Sequence, residues 1–207
     1  MPKRALFILG LIALFLFVFF SYLVHKDVFV QFDFDTTVRL QDNISRRFDE
    51  SFSLLSDIGS FEPMLILLIL ILFIRKKILG IITFALFGFL HIAELFGKFF
   101  VDHPPPPEFM LRTKHLIEFP QFHVRAEFSY PSGHAGRAVF LTAILGFMVV
   151  RSKKLTQTQK IFIISILGLY DLVMLISRVY LGEHWASDVI GGGLLGIALG
   201  ILSTLIL

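Results

Sequence analysis

The run Ala5–Val24, ALFILGLIALFLFVFFSYLV, carries no charged residue along its whole length. About 20 apolar residues in a helix cross roughly 30 Å of hydrocarbon, so this run predicts a membrane-spanning helix. A cleaved leader would have a shorter apolar region, about 7 to 15 residues, closed by a small-x-small site. Here Phe17, Phe19, Phe20 and Tyr22 lead straight into His25-Lys26, so the run is read as a retained first span. Further apolar runs follow at Pro63–Ile74, Leu79–Val101, Ala135–Val150, Ile161–Val179 and Val189–Leu207, making six spans in all. The second is the shortest. It has to draw on Ile58 to Phe61 or let Arg75, Lys76 and Lys77 snorkel to the interface.

Composition agrees with that reading. Of 207 residues, 56% are hydrophobic and only 17% charged, where soluble domains have about 45 to 50% apolar and about 25% charged residues. The mean hydropathy is +0.79. The expected fold is an all-α polytopic membrane bundle of about six transmembrane helices with an amphipathic helix on its outer face, residues 1–207 forming one domain. The absence of cysteine excludes disulfide frameworks, thiol nucleophiles and thiolate metal sites. A net charge of +3 does not point to nucleic acid, because the basic residues form short runs abutting apolar stretches and no exposed basic face. With six crossings, both termini, the Arg75–Lys77 turn and the Arg151–Lys160 loop share one side. That side holds nine Lys or Arg and no Asp or Glu, which makes it cytoplasmic. The polar segments 25–62, 102–133 and 181–185 then face outward.

Between the first two spans, Leu40, Ile44, Phe48, Phe52 and Leu55 recur at helical spacing opposite Asp42, Arg46, Asp49, Glu50 and Ser53. That pattern predicts one amphipathic helix on the bilayer surface, covering the outer end of the bundle. Pro104 to Pro107 form an extended turn, since proline donates no hydrogen bond and restrains its predecessor. Gly192, Gly196 and Gly200 place small residues four apart on the last span, which suits close packing within the bundle or, alternatively, the seam of a homodimer. Trp185 and Tyr130 are expected at the interface.

Charges at the ends of spans are costly and are functional candidates. Glu94 and Lys98 are one turn apart and suit a mutual salt bridge. Lys98, His134, Arg178, His184 and Asp188 lie at the ends of four different spans, and six crossings put all of them on the outer face. His184 and Asp188 are four apart at a helix start, so the carboxylate reaches the imidazole and fixes its tautomer. Two histidines with different partners suit a nucleophile and a proton donor. Cations beside backbone N–H groups suit a phosphate. No compact ligand spacing such as His-Glu-x-x-His indicates a metal.

These residues resemble a known family. Tyr130-Pro131-Ser132-Gly133-His134 looks like the second signature of the type 2 phosphatidic acid phosphatase (PAP2) superfamily. Ser177-Arg178, five residues, His184, three residues, Asp188 matches its third. The first signature, a lysine followed six residues later by Arg-Pro, is partial: Lys98 fits, but Pro105 stands where the arginine belongs. Replacements nearby are His103, Arg112, Lys114 and His115. Arg112 is favoured because a loop folded at four prolines brings it back over the site.

The resemblance implies a metal-independent, cofactor-free membrane phosphatase that hydrolyses lipid phosphates or diphosphates. In that implied scheme His184 attacks phosphorus, Asp188 holds its other ring nitrogen and His134 transfers the proton. Lys98, Arg178, Ser132, Gly133 and Arg112 bind the phosphate. Undecaprenyl diphosphate, phosphatidylglycerol phosphate and phosphatidic acid all suit such a site, and the short chain favours a bacterial plasma-membrane enzyme acting on a polyprenyl diphosphate. The missing arginine motivates an alternative, a noncatalytic lipid-binding or lipid-moving relative. A phosphotransferase, with an alcohol in place of water, is a third option.

Overall fold

The computed structural model describes residues 2–75, 80–114 and 128–205. The sequence expectations for Lys76, Lys77, Leu79, His115 and the end of the last span at Leu207 lie outside the described residues. The described residues form eight helices in order: α1 Lys3–His25, α2 Val30–Asn43, α3 Asp49–Ile58, α4 Phe61–Arg75, α5 Gly80–Phe100, α6 Gly133–Arg151, α7 Gln157–Tyr180 and α8 Ala186–Thr204, with short 3₁₀ turns at Arg46–Phe48 and Glu108–Met110. Among the described residues there is no strand. Helices α1, α5, α6, α7 and α8 are each long and apolar enough to cross a membrane. The sixth candidate is the broken pair of the 46–58 segment and α4, which bends by 52°. The second run counts as a sixth span if this pair, bent at Gly59-Ser60, is taken as one. The protein is an integral membrane protein.

Helix α8 is the axis of the bundle, with 72% of its apolar window buried against 17% for α1 and 11% for α7, which face lipid. Lipid tails are as apolar as leucine, so helices in a bilayer associate through close packing and small residues. The glycine stripe supplies that contact within the chain. A Cβ on Gly196 would run into the backbone oxygen of Gly136, one on Gly192 into that of Ser132, and one on Gly200 would stand 2.8 Å from the Ala143 Cβ. The pairs advance together along the chain, so α6 and α8 run parallel with their backbones nearly touching. On the other side α4 and α5 close the core, where Met64, Leu68, Ile71, Phe87 and Leu90 meet Phe140, Ile144, Leu195 and Leu199.

The helix ends have local causes. Thr156 and Gln159 form a capping box that starts α7: Thr156 N–H donates to Gln159 Oε1 at 2.9 Å and Gln159 N–H to Thr156 Oγ1 at 3.3 Å. Asp188 caps α8 by accepting from Trp185 N–H at 2.9 Å. Helix α5 stops as the chain approaches the proline run.

Two expectations change in detail. The amphipathic segment is two helices, because Ile44 and Ser45 are extended and Ser45 Oγ caps the turn that follows. The side it buries is partly polar. Asp49 accepts from Tyr180 Oη at 2.5 Å, and Ser53 Oγ accepts from Lys114 N–H at 3.0 Å. This end of the bundle presents donors that lipid cannot satisfy, and the segment satisfies them. Tyr130 is fully buried instead of lying at the interface. Gly191 leaves the space its ring occupies, and its hydroxyl pairs with Ser21 Oγ at 2.8 Å.

Candidate active site

Helix polarity brings the ends of α5 and α7 and the starts of α6 and α8 to one end of the bundle, together with the residues that sequence singled out. His184 sits in the α7–α8 loop with its Nδ1 3.3 Å from Asp188 Oδ2. Asp188 is fully buried and His184 is 7% exposed. One helical turn separates them, as four-residue spacing requires. The Ser132 N–H donates to the Asp188 carbonyl at 2.9 Å, which fixes the start of α6 against the start of α8. His134 follows on the first turn of α6, and it lies close enough to Arg178, Arg137, His184 and Lys98 for their charges to act on it.

The His184 imidazole holds its proton less tightly than an ordinary histidine. Burial is the main cause; Arg178 and Lys98 push the same way, and Asp188 opposes them. That direction favours the neutral ring, and a neutral ring that donates Nδ1–H to the Asp188 carboxylate carries its lone pair on Nε2.

The cations are held in pairs. Arg178, 1% exposed, donates to Glu183 and to Ser56 Oγ. Glu183 also accepts from Thr113 Oγ1 at 2.5 Å. Burial raises the Glu183 proton affinity, but Arg178 and Thr113 outweigh it and hold the carboxyl below its usual range. Lys98 Nζ lies 3.2 Å from Glu94 Oε1, the expected pair. Glu94 further accepts from Arg137 Nη1 at 2.8 Å and meets His91 Nδ1 at 3.2 Å. Gly133 makes room for that carboxylate, which a Cβ there would strike.

The loop after α5 returns to the end of α7 at Arg112. The Arg112 N–H donates to the Leu181 carbonyl at 2.8 Å, and its guanidinium lies 5.0 Å over the Tyr180 ring. Gln41 clamps both strands of this crossing by donating to Met110 O at 2.7 Å and Tyr180 O at 2.9 Å. Gly182, with φ +70°, lets Met110 approach its backbone too closely for any side chain.

Five buried polar atoms here have no hydrogen-bond partner among the described residues: Ser132 Oγ, His134 Nε2, Arg178 Nε, Arg112 Nη1 and Asp188 Oδ1. Buried polar groups are satisfied in the great majority of cases, and a group left open calls for a functional explanation.

Sequence reasoning missed Asp33, Ser56 and Glu183 and listed His103 only as a stand-in for arginine. His103 Nε2 lies 3.5 Å from Asp33 Oδ2 on α2, 3.5 Å from Asp188 Oδ1 and 3.1 Å from Ser187 Oγ. A polar residue on the core-facing side of a surface helix was the only signal for Asp33. Among the described residues no group of three or more His, Asp or Glu side chains is arranged to hold a metal ion.

Residues 75–207, more than half of the chain, match the PAP2 superfamily. The chain belongs to that superfamily. Among PAP2 relatives, phosphatidylglycerophosphatase B of Bacillus subtilis is 35% identical over 77 residues, 37% of this chain and 38% of that protein. Undecaprenyl-diphosphatase of Sulfolobus acidocaldarius is 30% identical over 136 residues, 65% of this chain and 58% of that protein. The chain thus spans well under two thirds of either relative's length. The PAP2-type phosphatidylglycerolphosphate phosphatase of Bacillus subtilis shares the fold, with a TM-score of 0.75 over 94% of both chains at 23% identity. LpxE of Aquifex aeolicus superposes with a TM-score of 0.59 over 84% of this chain and 94% of its own, at 26% identity.

Proposed function

We propose that this PAP2 protein is a metal-independent phosphatase of lipid phosphates or diphosphates that works through a phosphohistidine. The observation that carries the reading is the set of open polar atoms on Ser132, His134, Arg178 and Arg112 beside a neutral, Asp188-held His184. The names of the relatives, phosphatases of phosphatidylglycerol phosphate and undecaprenyl diphosphate, support the substrate class.

In the first step the Nε2 lone pair of His184 forms a bond to phosphorus while the bond from phosphorus to the leaving oxygen breaks. His134 gives that oxygen its proton. In the second, water attacks phosphorus, its proton passes to His134 and the N–P bond breaks, restoring both histidines. Arg178 Nε, Arg112 Nη1, Ser132 Oγ, the Gly133 N–H and Lys98 would bind the oxygens as charge spreads over them. Arg112, reaching over from the returning loop, takes the place of the arginine that Pro105 displaces. Asp188, Glu94 and Glu183 are already engaged by protein partners, and these steps draw on no metal.

The basic loop at the opposite end of the bundle supports an orientation with cytoplasmic termini and an outward-facing site, where headgroups are met without lifting the tail from the bilayer. The plasma membrane of a bacterium and a polyprenyl diphosphate are the favoured location and substrate.

The test is phosphate release from undecaprenyl diphosphate, phosphatidylglycerol phosphate and phosphatidic acid in detergent with excess EDTA, for the parent and His184→Ala. Release that survives EDTA and vanishes in the variant is expected. Folded parent protein that releases nothing from any of them would instead favour the noncatalytic lipid-binding alternative.

A further inference from the structure

One buried ionisable group has no part in those steps. His103, 4% exposed, lies between α5 and the proline run. Its Nε2 is 3.5 Å from Asp33 Oδ2 on α2, 3.5 Å from Asp188 Oδ1 on α8 and 3.1 Å from Ser187 Oγ. Both carboxylates are out of contact with water, Asp33 at 1% and Asp188 at 0% exposure.

The hydrogen-bond directions limit the protonation of this ring. Asp33 accepts twice from Ser187, at Oδ1 from the N–H at 2.7 Å and at Oδ2 from the hydroxyl at 2.6 Å. A hydroxyl has one hydrogen, so Ser187 Oγ presents a lone pair to His103 and Nε2 is the donor. Asp188 uses Oδ2 for His184 and Trp185 N–H, while Oδ1 has His103 as its nearest charge partner. Two desolvated carboxylates around one ring require a compensating cation, because an unpaired buried charge costs several kcal/mol.

We propose that His103, protonated at neutral pH, is a positioning residue that holds Asp188 from behind and, by offsetting its charge, keeps His184 neutral. This rests on the reading of His184 as nucleophile. The groups facing His103 agree: burial works against its proton, but Asp33, Asp188 and Asp27 outweigh burial and raise its proton affinity above that of a free histidine. Around His184 the facing groups are Asp188 from α8, Arg178 from α7, Lys98 from α5, His134 from α6 and Glu183 on its own loop. Of these the carboxylates pull the proton on and the cations push it off, so weakening Asp188 tips His184 toward the neutral form. The main chain at His103 is held by its neighbours: its carbonyl accepts from Ser129 N–H at 2.9 Å, and Trp185 Nε1–H donates to the next carbonyl, Pro104 O, at 2.7 Å.

The experiment is a pH titration of the histidine rings by ¹⁵N NMR on the full-length protein in detergent, with His103 and His184 assigned by loss of their signals in His103→Gln and His184→Asn. In the parent, His103 should carry protons on both ring nitrogens at pH 7. In folded His103→Gln the His184 midpoint should move up by about one pH unit, the size expected for one charge removed at short range in a partly polar interior. The acid limb of kcat/KM should move up with it, a readout that lost packing alone would not shift. A neutral His103 at pH 7 in the parent overturns the proposal whether or not the variant folds, and so does a His184 midpoint unmoved in the folded variant. A parent that releases no phosphate overturns the catalytic reading instead. The two failures are distinct because ring titrations need no turnover.

Discussion

Glu94→Gln tests how the cations of the site are held. The carboxylate, 6% exposed, balances Arg137 at 2.8 Å and Lys98 at 3.2 Å and also meets His91 at 3.2 Å. Arg137 is 4% exposed, so the neutral amide leaves a cation in the interior with nothing to offset it. Breaking a buried pair from one side costs about 3 to 5 kcal/mol. At about 2 to 4 °C per kcal/mol for a chain of this size, the apparent Tm in detergent should fall by roughly 6 to 20 °C. The double variant Glu94→Gln/Arg137→Met should recover part of that loss, because the orphaned charge leaves with its partner. At the same time Lys98, freed from Glu94, should bind inorganic phosphate more tightly. Thermal unfolding of the three proteins, with a phosphate titration of each folded one, reads all of this. A Tm within a few degrees of the parent, or losses that simply add in the double variant, would refute the claim that one carboxylate organises these cations.

Three further outcomes are expected. Because His184 holds its proton less tightly than an ordinary histidine, kcat/KM should rise with pH through an acid limb lying below 6.5 and fall again where the general acid His134 loses its proton; an acid limb at or above 6.5 contradicts the burial argument. Asp188→Asn, which releases the tautomer of His184, should lower kcat by about 10⁴-fold with the fold intact by circular dichroism. Gly196→Leu should cost about 1 to 3 kcal/mol in thermal unfolding because its side chain meets the Gly136 backbone, whereas Gly193→Ala, with nothing within 4 Å, should be tolerated.

The spans were legible because hydrocarbon thickness imposes a length on apolar runs, and α1, α5, α6, α7 and α8 lie close to where that length puts them. The bend between α3 and α4 was half visible, as a span too short to cross by itself. His184 and Asp188 were legible because both sit within one helical turn. Ser132 N–H joins Asp188 across helices, and that contact was foreseeable only as a shared face. The Glu94–Lys98 pair could be read from its spacing, but the claim of Arg137 on the same carboxylate could not, since 43 residues separate them. The same holds for Asp33, which reaches Ser187 over 154 residues of chain and lies ahead of the Leu40 to Leu55 pattern from which a helix was expected. Periodicity reports which face of an element is buried. It does not report which buried polar groups from distant elements will find one another.

The parallel course of α6 and α8 has an electrostatic consequence. Each aligned helix carries the equivalent of roughly half a positive charge at its N-terminus. The glycine seam sets both N-termini side by side at the site; Asp188 and Asp33 already take the Trp185 and Ser187 N–H groups at the start of α8, which leaves α6 to contribute roughly half a positive charge that no change of pH can titrate away. Arg178 is offset by Glu183, and Lys98 shares Glu94 with Arg137. The attraction for an anion therefore comes in part from the backbone itself, and it lasts as long as the two helices stay in contact.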